Sequence, residues 1–132
     1  YNLVASYSGD DDFLPSSTTE GHTVVKDETT TSILTDEPDP SQVGQPFTVT
    51  FEVTASTGTP SGLVTVTVAG EAAICTGTLA DGAGACEITL DTPGTHTLTA
   101  SYSGDADFLP SSATEEHTVL PIKLFLPLVA RK

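Results

Sequence analysis

The two cysteines of this 132-residue chain are the side chains best placed to react with each other. Cys75 and Cys86 flank residues 76–85, which are typical of a hairpin because residues 81–84 are a Gly-rich turn sequence. Strand alternation turns both cysteines inward, where opposed residues of a strand pair are close enough for a disulfide. The alternatives are two buried free thiols, or a zinc site that lacks half of its ligands. A disulfide predicts a location outside the cytoplasm.

Carboxylates form the second candidate site. Asp105 and Asp107 follow the sixth predicted strand, and the strand order brings Asp27 and Glu28 to the same end of the domain. Since Ca²⁺ takes six to eight oxygen ligands, calcium is one interpretation of these four side chains. The favoured interpretation is turn chemistry, in which Asp side chains accept hydrogen bonds from nearby backbone N–H groups. No other cofactor is predicted.

The histidines and the repeated tyrosine are expected to be structural. Tyr102 falls on the inward face of its strand, which predicts a core tyrosine with its hydroxyl bonded to a loop. His22 and His117 occupy equivalent positions in a repeat described below, and this equivalence favours a structural role over catalysis. The chain has no G-x-S-x-G, H-E-x-x-H, C-x-x-C or phosphate-binding Gly loop, so we expect a protein without enzymatic activity.

The charge of the chain excludes several classes of partner. It carries 18 acidic and 4 basic residues, a net charge of −14, and Lys26 is the only basic residue before position 120. Nucleic-acid binding needs clustered Lys and Arg, so it is not expected, and anionic membrane surfaces are equally unfavourable. No run of 18 apolar residues exists, which excludes a helical membrane span.

The most informative feature is an internal repeat. Residues 1–24 align without gaps on residues 96–119, and 18 of the 24 positions are identical at an offset of 95 residues. That period fits one β-sandwich domain per repeat. The sequence therefore divides into residues 1–25, the last two strands of a preceding repeat; residues 26–120, a complete domain; and residues 121–132, an apolar tail with a basic end.

The complete repeat has the alternation of β-strands. Phe47, Val49, Phe51 and Val53 alternate with polar residues, which predicts a half-buried strand. Similar patterns and Gly, Pro and Asp turns bring the predicted number of strands to seven, without a helix. The expected fold is an all-β, seven-stranded sandwich of two sheets.

Two stretches of the repeat resemble a known family. Residues 60–68, PSGLVTVTV, and residues 93–105, PGTHTLTASYSGD, are similar to bacterial immunoglobulin-like repeats of surface and secreted proteins. The resemblance covers about residues 28–120 and, through the partial copy, residues 3–24. It implies an immunoglobulin-like fold, an extracellular location, tandem arrangement and no catalysis. Its partners vary, so it identifies a scaffold rather than a task.

Two apolar segments predict contacts with other domains or other copies of the chain. A lone hairpin is marginal in water, so the face formed by Leu3, Ala5 and Tyr7 requires a cover. We expect adjacent immunoglobulin-like repeats or a homo-oligomer to supply it. The function predicted is a spacer, a stalk or a self-assembling subunit that forms filaments by strand exchange. The alternative is an adhesin module for a glycan or a protein, with Phe13 and Phe108 as the exposed aromatic candidates. In the tail, the predicted assembly contacts are Ile122, Leu124, Phe125 and Leu126.

Overall fold

The computed structural model describes residues 1–122, and these residues form ten β-strands. The first two strands, β1 (Asn2–Tyr7) and β2 (Ser16–Gly21), make an antiparallel hairpin that is a sheet of its own. The other eight strands form two further sheets. None of the described residues belongs to a helix that could cross a membrane.

The two larger sheets face each other as a sandwich. One has the order β3-β5-β8 and the other the order β4-β10-β9-β6-β7, with all pairings antiparallel except that between β4 and β10. Their bounds are β3 (Thr29–Glu37), β4 (Ser41–Gln42), β5 (Pro46–Ala55), β6 (Gly62–Val68), β7 (Ile74–Leu79), β8 (Ala83–Thr89), β9 (Gly94–Tyr102) and β10 (Ser111–Leu120).

The core lies where the alternating faces of the two sheets meet. Phe47, Val49, Phe51 and Val53 of β5 are buried, as the alternation predicted. They pack against inward residues of the opposite sheet, which include Val64, Val66, Leu98, Ala100, Tyr102 and Val119. The predicted all-β sandwich is confirmed.

Two glycines allow the sheets to approach at the edge formed by β7 and β8. A Cβ atom at Gly77 would lie 2.5 Å from the Ala85 carbonyl oxygen and 2.7 Å from Cζ of Phe51. At Gly84 it would lie 2.9 Å from Cε1 of the same ring. Only hydrogen fits in these places, so the glycines let Phe51 fill the space between the sheets.

The structure changes two details of the predicted sandwich. The complete domain has eight strands rather than seven, because the two-residue strand β4 pairs in parallel with the end of β10. The segment between the cysteines is also not a hairpin within one sheet. Strand β7 pairs with β6, whereas β8 pairs with β5, so the turn at residues 80–83 passes from one sheet to the other.

Candidate functional site: the domain junction and the buried histidine

Asp27 anchors the segment before β3 to the end of the sandwich that carries the β5–β6 loop. Its carboxylate accepts hydrogen bonds from the backbone N–H and the hydroxyl of Thr57, both at 3.0 Å, and from the hydroxyl of Ser56 at 3.0 Å. The bond from the Thr57 N–H contributes most to lowering the pKa of Asp27 below its ordinary value. The charged carboxylate is therefore the form that holds the loop between β5 and β6.

The main chain of Asp27 binds a second loop. Its N–H donates to the carbonyl oxygen of Asp107 at 2.9 Å, and its own carbonyl accepts from the N–H of Leu109 at 2.8 Å. Two residues later, the hydroxyl of Thr29 donates to the Leu109 carbonyl at 2.8 Å. Asp27 thus links the incoming chain to the β5–β6 loop and to the β9–β10 loop at once. We call Asp27 and these two loops the junction.

An open cleft of about 480 Å³ lies beside the junction. Val24 and Val25, the residues that leave the hairpin, line one part of it, and Gly58 and Phe108 of the sandwich line another. Residues 24 and 25 therefore lie across an open cleft from the loops that Asp27 joins.

Asp105 organises the β9–β10 loop from within. Its Oδ1 atom accepts hydrogen bonds from the N–H groups of Asp107 at 2.7 Å and Phe108 at 2.9 Å. The bond from Asp107 is the main cause that lowers the pKa of Asp105. Tyr102 is buried and donates from its hydroxyl to the Ser61 carbonyl at 2.8 Å, so it is the core tyrosine that the sequence predicted.

Two of the four carboxylates considered as calcium ligands, those of Asp27 and Asp105, accept hydrogen bonds at the junction. Asp105 binds N–H groups of its own loop, which is the turn chemistry weighed against calcium. Asp27 instead binds Ser56 and Thr57, which belong to the distant β5–β6 loop. Within residues 1–122, Asp27, Glu28, Asp105 and Asp107 do not form a group whose ligand atoms all lie within 4.8 Å of one another. Calcium binding here stays the untested alternative to turn chemistry.

A buried histidine connects three parts of the chain at the opposite end of the sandwich. Nδ1 of His117 lies 2.7 Å from Oδ2 of Asp36, and Nε2 lies 2.8 Å from Oγ of Ser41. A neutral ring that donates from Nδ1 to the carboxylate accepts from the serine hydroxyl at Nε2. The ring of Phe47 stacks on the imidazole, with 3.7 Å between the centroids. Asp39 lies 3.5 Å from Nδ1, and we call Asp36, Asp39, Ser41 and His117 the histidine cluster.

The histidine cluster has the Ser-His-Asp connectivity of a hydrolase triad, but it lies inside the protein. Ser41 is 1% exposed and His117 is 0% exposed. A nucleophilic serine has to meet a substrate carbonyl, which this burial prevents. Burial also raises the pKa of Asp36, an effect larger than the opposing hydrogen bond from His117. The cluster therefore joins β3, β4 and β10 as a structural element.

Asp36, Asp39 and His117 also form a group with all three ligand atoms within 4.8 Å of one another. Their direct contacts already explain this proximity. The imidazole binds Asp36, and the backbone N–H of Thr118 donates to Oδ1 of Asp39 at 3.1 Å. Hydrogen bonding is the role that the structure shows for these groups.

The first hairpin has the same geometry as the hairpin that it repeats. Tyr7 pairs with Ser16 as Tyr102 pairs with Ser111. In its loop, Oδ1 of Asp10 accepts from the N–H groups of Asp12 and Phe13, both at 2.8 Å, as Asp105 does in the second copy. The loop forms without a surrounding sandwich, which indicates that its conformation is locally determined.

The surroundings of the two hairpins differ completely. Leu3 is 56% exposed and Tyr7 is 47% exposed, whereas their equivalents Leu98 and Tyr102 belong to the core. Ala5, His22 and Val24 are exposed in the same way. We call these five residues of the first copy the hairpin face: Leu3, Ala5, Tyr7, His22 and Val24.

The residues predicted to contact other domains or copies differ in their exposure. Leu3, Ala5 and Tyr7 are exposed and available for contact, as is Ile122, which is 64% exposed. Leu124, Phe125 and Leu126 lie outside the described residues. Of the aromatic residues suggested for an adhesin, Phe13 is exposed, but Phe108 is buried and cannot serve as a surface platform.

Cys75 and Cys86 form a disulfide, with 5.7 Å between their Cα atoms. The bond joins β7 of the five-stranded sheet to β8 of the three-stranded sheet. It therefore closes one edge of the sandwich instead of bracing a hairpin. The predicted pairing is confirmed, and the predicted setting within one strand pair is wrong.

Sequence reasoning missed the partners that hold the two sites together. Ser41 and Asp36 were not considered as partners of His117, and Ser56 and Thr57 were not considered as partners of Asp27. The repetition of His22 and His117 was the one available signal, since it indicated that the imidazole has a fixed structural place in each repeat.

Comparison with protein-family models agrees with the fold. A model described as bacterial Ig-like domain (group 3) matches residues 34–120. No curated protein matches the chain. Among solved structures, a conjugative transposon lipoprotein from Bacteroides eggerthii is similar, with 12% identity and a TM-score of 0.47 over 67% of this chain and 95% of that chain. Since the family model covers about two-thirds of its length, the chain belongs to the bacterial Ig-like domains, group 3.

Proposed function

We propose that the protein is a structural spacer module of a tandem immunoglobulin-like array on the outside of a bacterial cell. Its family is one of bacterial immunoglobulin-like domains. The internal repeat supports tandem arrangement, because residues 1–24 copy the end of the complete domain. The Cys75–Cys86 disulfide supports an oxidising, extracellular setting.

The observation that carries the proposal is the anchoring of the chain at Asp27. Strand β2 ends at Gly21, so residues 22–26 separate the hairpin from the first anchored residue of the sandwich. Asp27 then binds two loops through its side chain and its main chain. A connection this short, fixed at its end, limits the angles between successive units, and a module that sets distances in an array needs this restriction.

A measurement of backbone motion tests the spacer function. We expect ¹⁵N relaxation of the full chain to give high order parameters at residues 27–29, with motion increasing in Asp27→Ala. Glu28→Ala is the matched control, because Glu28 is the exposed acidic neighbour. Flexible residues 27–29 in the unmodified chain, or equal relaxation in both variants, would contradict a fixed junction.

Self-assembly by the same chain is a second form of this proposal, and it requires the exposed hairpin face to meet a surface of a second copy other than its filled sandwich. Analytical ultracentrifugation of the 132-residue protein tests it directly. Growth in mass with concentration supports an assembling subunit, whereas a single monomeric species at all concentrations restricts the protein to the spacer role.

A further inference from the structure

We propose that the hairpin face binds the strands β3–β8 of another copy of this repeat and completes a second sandwich with them. This inference rests on the proposed tandem arrangement and names the partner of the exposed hairpin. We call the partner the body, meaning a segment with the sequence character of residues 27–93. The hairpin of residues 1–24 then occupies the place that β9 and β10 have in the complete domain.

The first argument is that every core residue of the second hairpin is present in the first. The buried residues between positions 96 and 119 are Leu98, Ala100, Tyr102, Phe108, His117 and Val119. Their equivalents at an offset of 95 are Leu3, Ala5, Tyr7, Phe13, His22 and Val24, identical in all six cases. The six positions that differ between the copies are all outside the buried set. The first hairpin therefore keeps the surface that fits a body.

The second argument is the polar chemistry on that surface. In the complete domain the imidazole of His117 is bound by Asp36 and Ser41, and the hydroxyl of Tyr102 by the Ser61 carbonyl. All three partners belong to the body. His22 presents the same imidazole to solvent, and the Tyr7 hydroxyl donates to Oδ2 of Asp10 in its own loop at 3.1 Å. An apolar partner would bury that imidazole without a polar partner, which costs free energy. A body supplies the matching carboxylate, hydroxyl and carbonyl.

The third argument concerns the free edge of β1. Strand β9 pairs with β6 from Leu98↔Val68 to Tyr102↔Val64. Among residues 1–122, the equivalent stretch of β1, from Leu3 to Tyr7, pairs only with β2 on its other side. A strand like β6 would satisfy the backbone N–H and C=O groups along this edge.

The body of the same chain cannot be the partner. Asp27 bridges to Phe108 at one end of β10, whereas Ser41 pairs with Val119 at the other end. If the first hairpin replaced β9–β10, Val24 would have to lie beside Ser41. Val24 and Asp27 would then be separated by the length of the nine-residue strand β3, which is about 30 Å. The three peptide steps from Val24 to Asp27 reach at most about 11 Å.

A second copy of the whole 132-residue chain is a poor partner as well. Each copy carries two hairpins of this type and one body, and its body is already filled by β9 and β10. Exchange between copies would expose one hairpin for each one that it buries, so no apolar surface is gained. The favoured partner is therefore a body that lacks a final hairpin of its own, as in a neighbouring repeat of an array.

Complementation in trans tests the inference. The full chain is mixed with a polypeptide of residues 27–93, and the mass of the complex is measured by light scattering after gel filtration. We expect a 1:1 complex, together with slow exchange of the amides of residues 3–7 and a shifted His22 imidazole signal. A chain of residues 26–132, which lacks the first hairpin, is the control and should not bind.

Two substitutions on one strand identify the surface that binds. Leu3→Asp places a charge on the hairpin face and should weaken the complex roughly 100-fold or more. Val4→Asp is the matched control on the opposite face of β1, at a position where the two copies differ, and should bind nearly as the unmodified chain does. Equal weakening by both substitutions would overturn the assigned face.

A fusion protein tests the same inference if the separate fragment of residues 27–93 does not stay soluble. Residues 27–95 are fused before Tyr1 of the full chain, which creates two complete repeats. We expect two cooperative unfolding units and slow exchange at residues 3–7. Fast exchange there in the fusion, or no complex in trans with a soluble fragment, would overturn the inference. The Asp27 relaxation experiment uses the single chain. A negative result in the complementation and fusion experiments therefore overturns this inference but does not by itself contradict the spacer proposal.

Discussion

His117 and Asp36 are 81 residues apart in sequence, yet Nδ1 of the imidazole lies 2.7 Å from Oδ2 of the carboxylate. The contact connects the end of β3 with β10, and Ser41 extends it to β4. These strands lie on the side of the sandwich opposite the disulfide, which joins β7 and β8. One edge is thus closed by a covalent bond and the other by a buried polar cluster.

Replacement of His117 should destabilise the domain strongly. His117→Ala removes the ring that stacks on Phe47 and leaves Asp36 and Ser41 without their partner. We expect a loss of about 2–4 kcal/mol in the free energy of unfolding, measured by urea denaturation of the sandwich. His22→Ala is the matched control, since the equivalent imidazole is exposed, and it should change the stability of the single chain by less than about 0.5 kcal/mol. Equal effects would contradict a structural role for the cluster.

The hydrogen bonds of Asp27 predict a defined dependence of stability on pH. Its pKa is lowered in the folded protein below the ordinary value of 3.8, so its stabilising effect is present above that pH. The effect is lost as the pH falls through the lower folded pKa. An NMR titration of the carboxyl carbon should give a midpoint below 3.8. Asp27→Ala should lose less stability than the unmodified chain between about pH 5 and pH 2. A midpoint at or above 3.8 would contradict the contacts with Thr57.

The pKa of Asp36 should shift in the opposite direction to that of Asp27. Burial raises its pKa above 3.8, so its contribution to stability is fully present below that pH and is lost as the pH rises through the higher folded pKa. An NMR titration of the full chain should therefore give a midpoint above 3.8 for Asp36 and below 3.8 for Asp105. The same midpoint for both carboxyls would show that burial does not dominate at Asp36.

Reduction of the disulfide should weaken the domain without unfolding it at once. The bond closes a loop of 12 residues between Cys75 and Cys86, for which the chain-entropy relation gives about 3 kcal/mol. Cys75→Ala with Cys86→Ala should lower the free energy of unfolding by about that amount. The double variant should also be insensitive to dithiothreitol, unlike the unmodified chain. A loss below about 1 kcal/mol would indicate that the edge is held by packing alone.

Alternation and turn residues were sufficient to predict the sandwich, because Phe47, Val49, Phe51 and Val53 have one possible buried face. They were not sufficient for the sheet assignment of β7 and β8. A Gly-rich turn is compatible with a hairpin in one sheet and with a crossing between sheets, and the difference depends on distant strands. Strand β4 was missed because two residues have no periodicity. The partners of His117 were missed because contacts over about 80 residues leave no local pattern.

The glycines beside Phe51 offer the sharpest test of how the sheets meet. Gly77→Ala would place a Cβ atom 2.5 Å from the Ala85 carbonyl oxygen and 2.7 Å from the Phe51 ring, so either the backbone or the ring has to shift. We expect a loss of about 1–3 kcal/mol in urea denaturation, because the strand is held in place by the adjacent disulfide and cannot relax freely. Gly21→Ala is the control, since nothing lies within 4 Å of its added Cβ. If Gly77→Ala unfolded at the same urea concentration as the control, the close approach of β7 and β8 over Phe51 would be wrong.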